Sequence, residues 1–150
     1  SVLAESVAAV GTGGVEPVIV RNISLGGAGN GLQPAIPGSL GLSNIGLLVT
    51  TAGTVSAPRV QSGWFYVDDG SGAWDGTGVG GIYVEATGLL APPAGSFAAV
   101  TGISSCEWYD GNLVNVLRPR SQADIMVTGT VPAMSWSALD LTANPRSVSR

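Results

Sequence analysis

The sequence predicts an all-β domain built as a small barrel, and three observations carry that prediction. Short apolar, β-branched runs recur along the chain, each bounded by Gly, Pro or Asp-Gly turn signals. Gly, Ser, Thr or Pro interrupts each apolar run, and the two prolines of TGLLAPPAG exclude a long helix between two of the strands. The stretch from Asn44 to Gly72, NIGLLVTTAGTVSAPRVQSGWFYVDDGSG, reads as a long strand (Ile45 to Val55), a loop, a second strand (Trp64 to Asp68) and a tight Asp-Gly turn.

The elements follow in order. Ser1 to Val10 is predicted as a short helix, with Leu3, Val7 and Val10 on one face and Ser1 as its cap, and the GTGG after it ends it. A strand is expected over Val15 to Ile23, with Pro17 near its start, where a missing N–H is tolerated. Leu25 to Ser43 is rich in Gly and Pro and is expected to be an irregular loop, of the length that is usually functional or packed on a partner. Asn22-Ile23-Ser24 matches the N-glycosylation pattern, a three-residue signal that says little by itself.

The extended segment continues to Ala57, and Gly53 within it marks a bulge or a sharp bend of the kind that turns a barrel strand from one sheet face to the other. In the second strand Phe65 and Val67 fall on one face, Trp64 and Tyr66 on the other. After the turn cluster DDGSGAWDGTG comes a third strand, Gly81 to Ala86, with Ile82 and Val84 inward. The two prolines of TGLLAPPAG exclude a long helix there. A fourth strand runs from Ser96 to Ile103 and continues through Cys106 to Tyr109 into a hairpin turning at Asp110-Gly111-Asn112. Leu113 to Arg118 is the fifth strand, and Ala123 to Val127 a short one. The chain thus divides into a barrel domain with its lead-in, 1–127, and an extended tail, 128–150, in which Met134, Trp136 and Ala138 alternate with Ser135 and Ser137 as in a strand.

Composition narrows the surroundings. A chain of 150 residues, 45% hydrophobic, with a mean hydropathy of +0.36, fits one domain with a real core. No apolar run approaches the roughly 20 residues that cross a bilayer, so no membrane span is expected. No charged and then apolar segment opens the chain, so any secretion signal is expected to have been removed. Only 11% of residues are charged, against an ordinary ~25%. All six basic residues are Arg, with no Lys or His, and the net charge is −4. Nucleic-acid binding needs clustered cations to displace phosphate counterions, which scattered arginines on an acidic chain do not supply. A surface so poor in charge promotes association. The composition therefore points to an assembled, extracellular or cell-surface protein. The single Cys106 has no intrachain partner, and its segment SSCEWYD reads as a buried strand position, an intermolecular bridge and a reactive thiol being the other readings.

The run NIGLLVTTAGTV, then GWFYVDDGSG, GIYVEA, PPAGSFAAVTGIS, a hairpin and LRPRSQADI resembles an OB-fold domain of the kind found in secreted or surface proteins of environmental bacteria. The resemblance covers roughly Val15 to Val127; its most specific signals are the DDGSG turn and the strand end Val100 to Ile103. It implies a five-stranded Greek-key barrel with one face and its flanking loops available to nucleic acid or oligosaccharide. The chain departs from the nucleic-acid pattern in lacking a basic groove. It also has a Pro-containing loop where a helix often joins the third and fourth strands.

Named residues bear on three chemistries. For catalysis, the absence of His and Lys and the single Cys remove the usual nucleophile schemes, and adjacent Asp68 and Asp69 point to opposite faces, so no enzyme is expected. For metal, Asp69, Ser71 and Asp75 in DDGSGAWDG offer oxygens at spacings that can wrap Ca²⁺, but Gly80 stands where a closing Glu belongs. The competing reading is an Asp-Gly hairpin turn, and no other cofactor is implied. For carbohydrate, Trp64, Tyr66, Trp74, Tyr83, Trp108, Tyr109 and Trp136 are either a stacking platform or core and interface anchors, with Trp74, among glycines, expected to be exposed. Trp64, Trp74 and Tyr66 are the candidate contacts.

The first functional expectation is a non-catalytic structural subunit that self-assembles into a filament, tube or surface layer. It would use the loop between Gly26 and Gly41, which is expected to have little to bury alone, and β-augmentation by the tail, with Met134, Trp136 and Leu139 as assembly residues. The second is a secreted binding module for an oligosaccharide or cell-wall polymer.

Overall fold

The computed structural model describes residues 11, 13–29, 31, 36–59, 63–75, 77–109 and 111–130. The predicted helix over Ser1 to Val10 and the assembly residues Met134, Trp136 and Leu139 lie outside them.

The chain is all-β. One mixed sheet contains seven strands: β1 (Val18–Ile19), β2 (Leu48–Arg59), β3 (Trp64–Asp68), β4 (Ile82–Glu85), β5 (Ser96–Tyr109), β6 (Asn112–Arg118) and β7 (Ile125–Thr130). Two long strands organise it. The first half of β2 pairs antiparallel with β5, from Leu48 opposite Ile103 to Thr54 opposite Phe97. Its second half pairs with β3, beginning at Thr54 opposite Asp68. β3 pairs antiparallel with β4, β4 parallel with β6, and β6 antiparallel with the second half of β5. The order β2-β3-β4-β6-β5 thus returns to β2, a partial ring of five strands. β1 and β7 are added outside it, β1 along the edge of β2 and β7 along the edge of β5.

Closing a ring of so few strands requires the long strands to bend sharply. Gly53 is where β2 passes from β5 to β3. A Cβ there would lie 2.3 Å from the carbonyl oxygen of Asp68, so the two backbones meet where no side chain fits. The expected bend at Gly53 is therefore a close crossing, while the register shift of the β2–β3 pair falls later, between Ser56 and Arg59. β5 has its counterpart at Gly102, whose Cβ would lie 2.7 Å from the Arg118 carbonyl.

The strict alternation of buried and partly exposed residues from Ser96 to Ser105 of β5 fills the interior with Ala98 and Val100; Phe65, Val67, Ile82, Val84 and Leu117 complete it from the other strands. Phe65 and Val67 are fully buried, as the period-two reading of that strand requires.

The strand expected over Val15 to Ile23 is cut to Val18–Ile19, because the chain then turns into a 3₁₀ turn at Asn22–Ser24. Asn22 is fully buried. Its amide Nδ2 donates to the Val67 carbonyl at 2.6 Å, and its Oδ1 accepts the Thr51 hydroxyl at 2.6 Å. A side chain so enclosed is no glycan acceptor. Leu25, next along, is itself in the core.

The Gly- and Pro-rich segment after it is therefore packed on its own barrel at both ends. Asn44 binds it from the far side: its Nδ2 donates to the Ser24 carbonyl at 2.6 Å, and its Oδ1 accepts the Gly26 N–H at 2.9 Å and the buried Ser104 hydroxyl at 2.7 Å. Ser39 donates to the Leu25 carbonyl, and Ile36 is buried. The expectation that this loop has little to bury alone is corrected.

Beyond the ring, no helix joins β4 to β5 across 86–95. The short final strand begins later than expected: Gln122–Asp124 form a 3₁₀ turn, and β7 runs on to Thr130, past the anticipated boundary at Val127. Ile125 reaches the core from it. Among the described residues no helix is long and apolar enough to cross a membrane.

Candidate functional site: an aromatic groove outside the barrel

Alternation sends Trp64 and Tyr66 of β3, Tyr83 and Glu85 of β4, Glu107 and Tyr109 of β5, and Val114, Val116 and Arg118 of β6 to the outer face. Register brings them together. Tyr66 stands opposite Tyr83 and Trp64 opposite Glu85, and Tyr83 stands opposite Val116 in the parallel pair. Val114 and Val116 are buried although they face outward, and they do not belong to the interior cluster. They form the floor of a second, smaller apolar layer on the outside of the ring.

The three rings of that layer pack edge to face or tilted. Their centroids are 6.1 Å apart for Trp64 and Tyr66, 5.7 Å for Trp64 and Tyr83, and 5.8 Å for Tyr66 and Tyr83. Tyr66 is buried, and its hydroxyl donates to Asp75 Oδ2 at 2.6 Å, with Thr77 Oγ1 at 3.1 Å. Burial, and then the bond to Asp75, push the Tyr66 phenol above its ordinary range, so it remains a fixed donor. Burial and then the nearby Glu107 carboxylate also raise Tyr83, against the lowering effect of Arg118. Together Trp64, Tyr66, Tyr83, Tyr109, Val79 and Val114, with Asp75, Thr77 and Glu107, line a groove of about 400 Å³.

The charges around the groove are largely spent. Arg118 forms ion pairs with both Glu85 and Glu107. Asp75 accepts the Thr77 N–H at 2.9 Å and its hydroxyl at 2.6 Å in addition to Tyr66. Elsewhere Arg120 pairs with Asp124 at 2.8 Å, and Arg21 lies near enough to Asp69 to favour its charged form.

The structure separates the residues proposed for metal. Asp69 and Ser71 face the 3₁₀ turn: Asp69 Oδ2 accepts the Asn22 N–H at 2.9 Å, Asp69 Oδ1 the Ser71 N–H at 2.9 Å, and Ser71 Oγ the Ile23 N–H at 3.0 Å. Asp75 instead serves Tyr66 and Thr77. Among the described residues no group of three His, Cys, Asp or Glu side chains is placed to hold a metal ion. The DDGSG turn acts as a clasp between the β3–β4 connection and the segment leading into the core. Burial raises the Asp69 carboxyl, but hydrogen bonds from the Ser71 hydroxyl, the Asn22 and Ser71 amides and the charge of Arg21 outweigh it and hold it below the ordinary carboxylate value. A depressed carboxylate stabilises the fold above its unfolded pKa of ~3.9 and loses that contribution as pH falls through its folded value. Asp69→Asn should therefore cost about 1–2 kcal/mol at neutral pH. The gap to the parent should narrow as urea denaturation is repeated from pH 5 down through pH 3.

Of the proposed contacts, Trp64 and Tyr66 sit together in the groove. Trp74 is 63% exposed but lines a different cavity, on the other side of Asp75. Trp108 and Tyr109 are exposed at the end of the β5–β6 hairpin, and Cys106 is half-buried just before them. The contributions of Glu107, Val114 and Asp75 were not read from sequence; period-two parity could have placed the first two on the outer face.

Comparison of the chain with protein-family models, with curated proteins and with solved structures finds no match.

Proposed function

We propose that this chain is a non-catalytic, OB-like binding module that holds a neutral oligosaccharide, such as a strand of cell-wall polymer, outside the cell. The observation that carries the reading is the groove of Trp64, Tyr66 and Tyr83, set on the outside of a ring whose own interior is filled. Small-ligand sites combine apolar and aromatic walls with a few placed polar groups, and volumes of ~300–1,000 Å³ are usual. Arg118, beside the groove, is matched to the Glu85 and Glu107 carboxylates, which disfavours phosphate and suits a ligand of hydroxyls and C–H faces. The ring order, with β4 parallel to β6, supports a five-stranded Greek-key barrel of the OB type. The low charge of the sequence supports an extracellular or surface setting, and no cofactor enters the reading. The test is binding to an array of neutral cell-wall and storage glycans, with loss of the signal in Trp64→Ala and Tyr83→Ala.

A second reading, self-assembly into a filament, tube or surface layer, is favoured by the two added strands. β1 and β7 end the sheet, and both carry exposed apolar side chains, Ile19 at 85% and Met126 at 62%. Pairing of one copy's β1 edge with another copy's β7 edge would be heterologous and would not need to close. Ile19→Lys should leave the melting temperature within about 1–2 °C of the parent, since surface changes stay near 0.5 kcal/mol. If this reading holds, the same substitution abolishes the concentration-dependent association seen by analytical ultracentrifugation.

A further inference from the structure

A second cavity, of about 510 Å³, lies across Asp75 from the aromatic groove. Ile36, Ala73 and Leu113 give it apolar walls, and Trp74 stands at its side with most of its surface exposed. Asn115, on the inward face of β6, also lines it. Asn115 is only 6% exposed, and its Oδ1 has no hydrogen-bond partner among the described residues. A buried amide oxygen without a donor destabilises the fold, and an apolar residue of similar shape would not carry that cost. Such a group calls for an explanation, and a ligand that supplies the donor is one.

Two other polar side chains of this cavity are committed. Ser39 Oγ donates to the Leu25 carbonyl at 2.9 Å. The Asp75 carboxylate accepts Tyr66 and both donors of Thr77. Among the described residues no Arg lines the cavity, so it offers an anion no opposite charge. An ammonium ion would meet an Asp75 carboxylate that already holds three donors. What the cavity offers is a buried acceptor, Asn115 Oδ1, beside an exposed indole.

We propose that this cavity takes one neutral sugar unit, with a ring hydroxyl donating to Asn115 Oδ1 and the C–H face of the ring against Trp74. The inference rests on the glycan reading of the groove. It extends that reading to two subsites divided by the Tyr66–Asp75 bond, so that a chain in the groove continues over Asp75 and places its next unit against Trp74.

The experiment is isothermal titration calorimetry with β-1,4- and α-1,4-linked glucose oligomers of one to six units on the parent, Asn115→Leu, Trp74→Ala and Tyr83→Ala, with a thermal melt of each. For one of the two linkages, affinity should rise with length until both subsites fill. Asn115→Leu and Trp74→Ala should each weaken the longer oligomers at least tenfold, and Asn115→Leu should melt at the parent's temperature or above it. Longer oligomers bound normally by both variants but weakly by Tyr83→Ala would overturn the cavity and leave the groove standing. Binding lost in both variants but intact in Tyr83→Ala would support the cavity and overturn the groove. A clear fall in the melting temperature of Asn115→Leu would show that the amide is satisfied within the fold and would overturn the inference. Failure of every oligomer of both linkages to bind the parent would overturn groove and cavity together.

Discussion

Gly53→Ala should lower the melting temperature by about 10 °C. The new Cβ would sit 2.3 Å from the Asp68 carbonyl oxygen, with the Asp69 amide nitrogen at 2.7 Å. Those neighbours are backbone, so no rotamer change relieves the contact; β2 and β3 must separate where the ring passes from one pairing to the next. Overpacking costs ~1–3 kcal/mol where side chains can yield, and more where they cannot. About 3 kcal/mol, at roughly 2–4 °C per kcal/mol for a chain of this size, gives the stated shift. Gly102→Ala, whose nearest contact is 2.7 Å, should cost less. Gly70→Ala meets nothing within 4 Å and pays only for its positive φ of 73°, ~1 kcal/mol. Scanning calorimetry on the three variants checks the order Gly53, Gly102, Gly70.

Trp64→Ala and Tyr83→Ala should each weaken glycan binding by about 10- to 100-fold, since truncating an aromatic contact at the centre of a site costs ~1.5–3 kcal/mol and each 1.4 kcal/mol is tenfold. Both side chains are half-buried on the outer face, so the filled interior should hold the fold without them. Tyr66 is the poorer probe. It is buried and bonded to Asp75, and its truncation would loosen the β3–β4 connection along with the site. Fluorescence or calorimetric titration of the two variants against any glycan bound by the parent measures the loss.

The parts of the fold that depend on period two were legible in the sequence. Phe65 and Val67 against Trp64 and Tyr66, and Ile82 and Val84 facing inward, need nothing beyond the pleat. That Gly53 is a special point of β2 was legible too, although it is a close crossing of backbones and the irregularity of the β2–β3 pair falls later, between Ser56 and Arg59. The packing of Asn22 and Leu25 was not. Asn22 bonds Val67 and Thr51, 45 and 29 residues away, and a short polar side chain gives no local sign of such partners. For the same reason the Gly- and Pro-rich segment read as a loop with little to bury on its own, although Asn44 holds its start from 18 and 20 residues on.

The site was legible by halves. Trp64 and Tyr66 share a face by parity alone. That Tyr83 joins them depends on the β3–β4 register, and that Val116 lies opposite Tyr83 depends on the parallel β4–β6 pair that helps to close the ring. Periodicity carries no information on which strands become neighbours. Asp69, Ser71 and Asp75 were grouped because they are close in sequence, whereas the chain between them turns, sending two to the 3₁₀ turn and one to Tyr66.

The most direct test of the groove is a two-dimensional amide NMR titration of the parent with a neutral glycan selected from the array. The account predicts shift changes that saturate and cluster on Trp64, Tyr66, Thr77, Tyr83, Glu107 and Tyr109. Changes confined to β1 and β7, or none from any glycan at millimolar concentration, would contradict it.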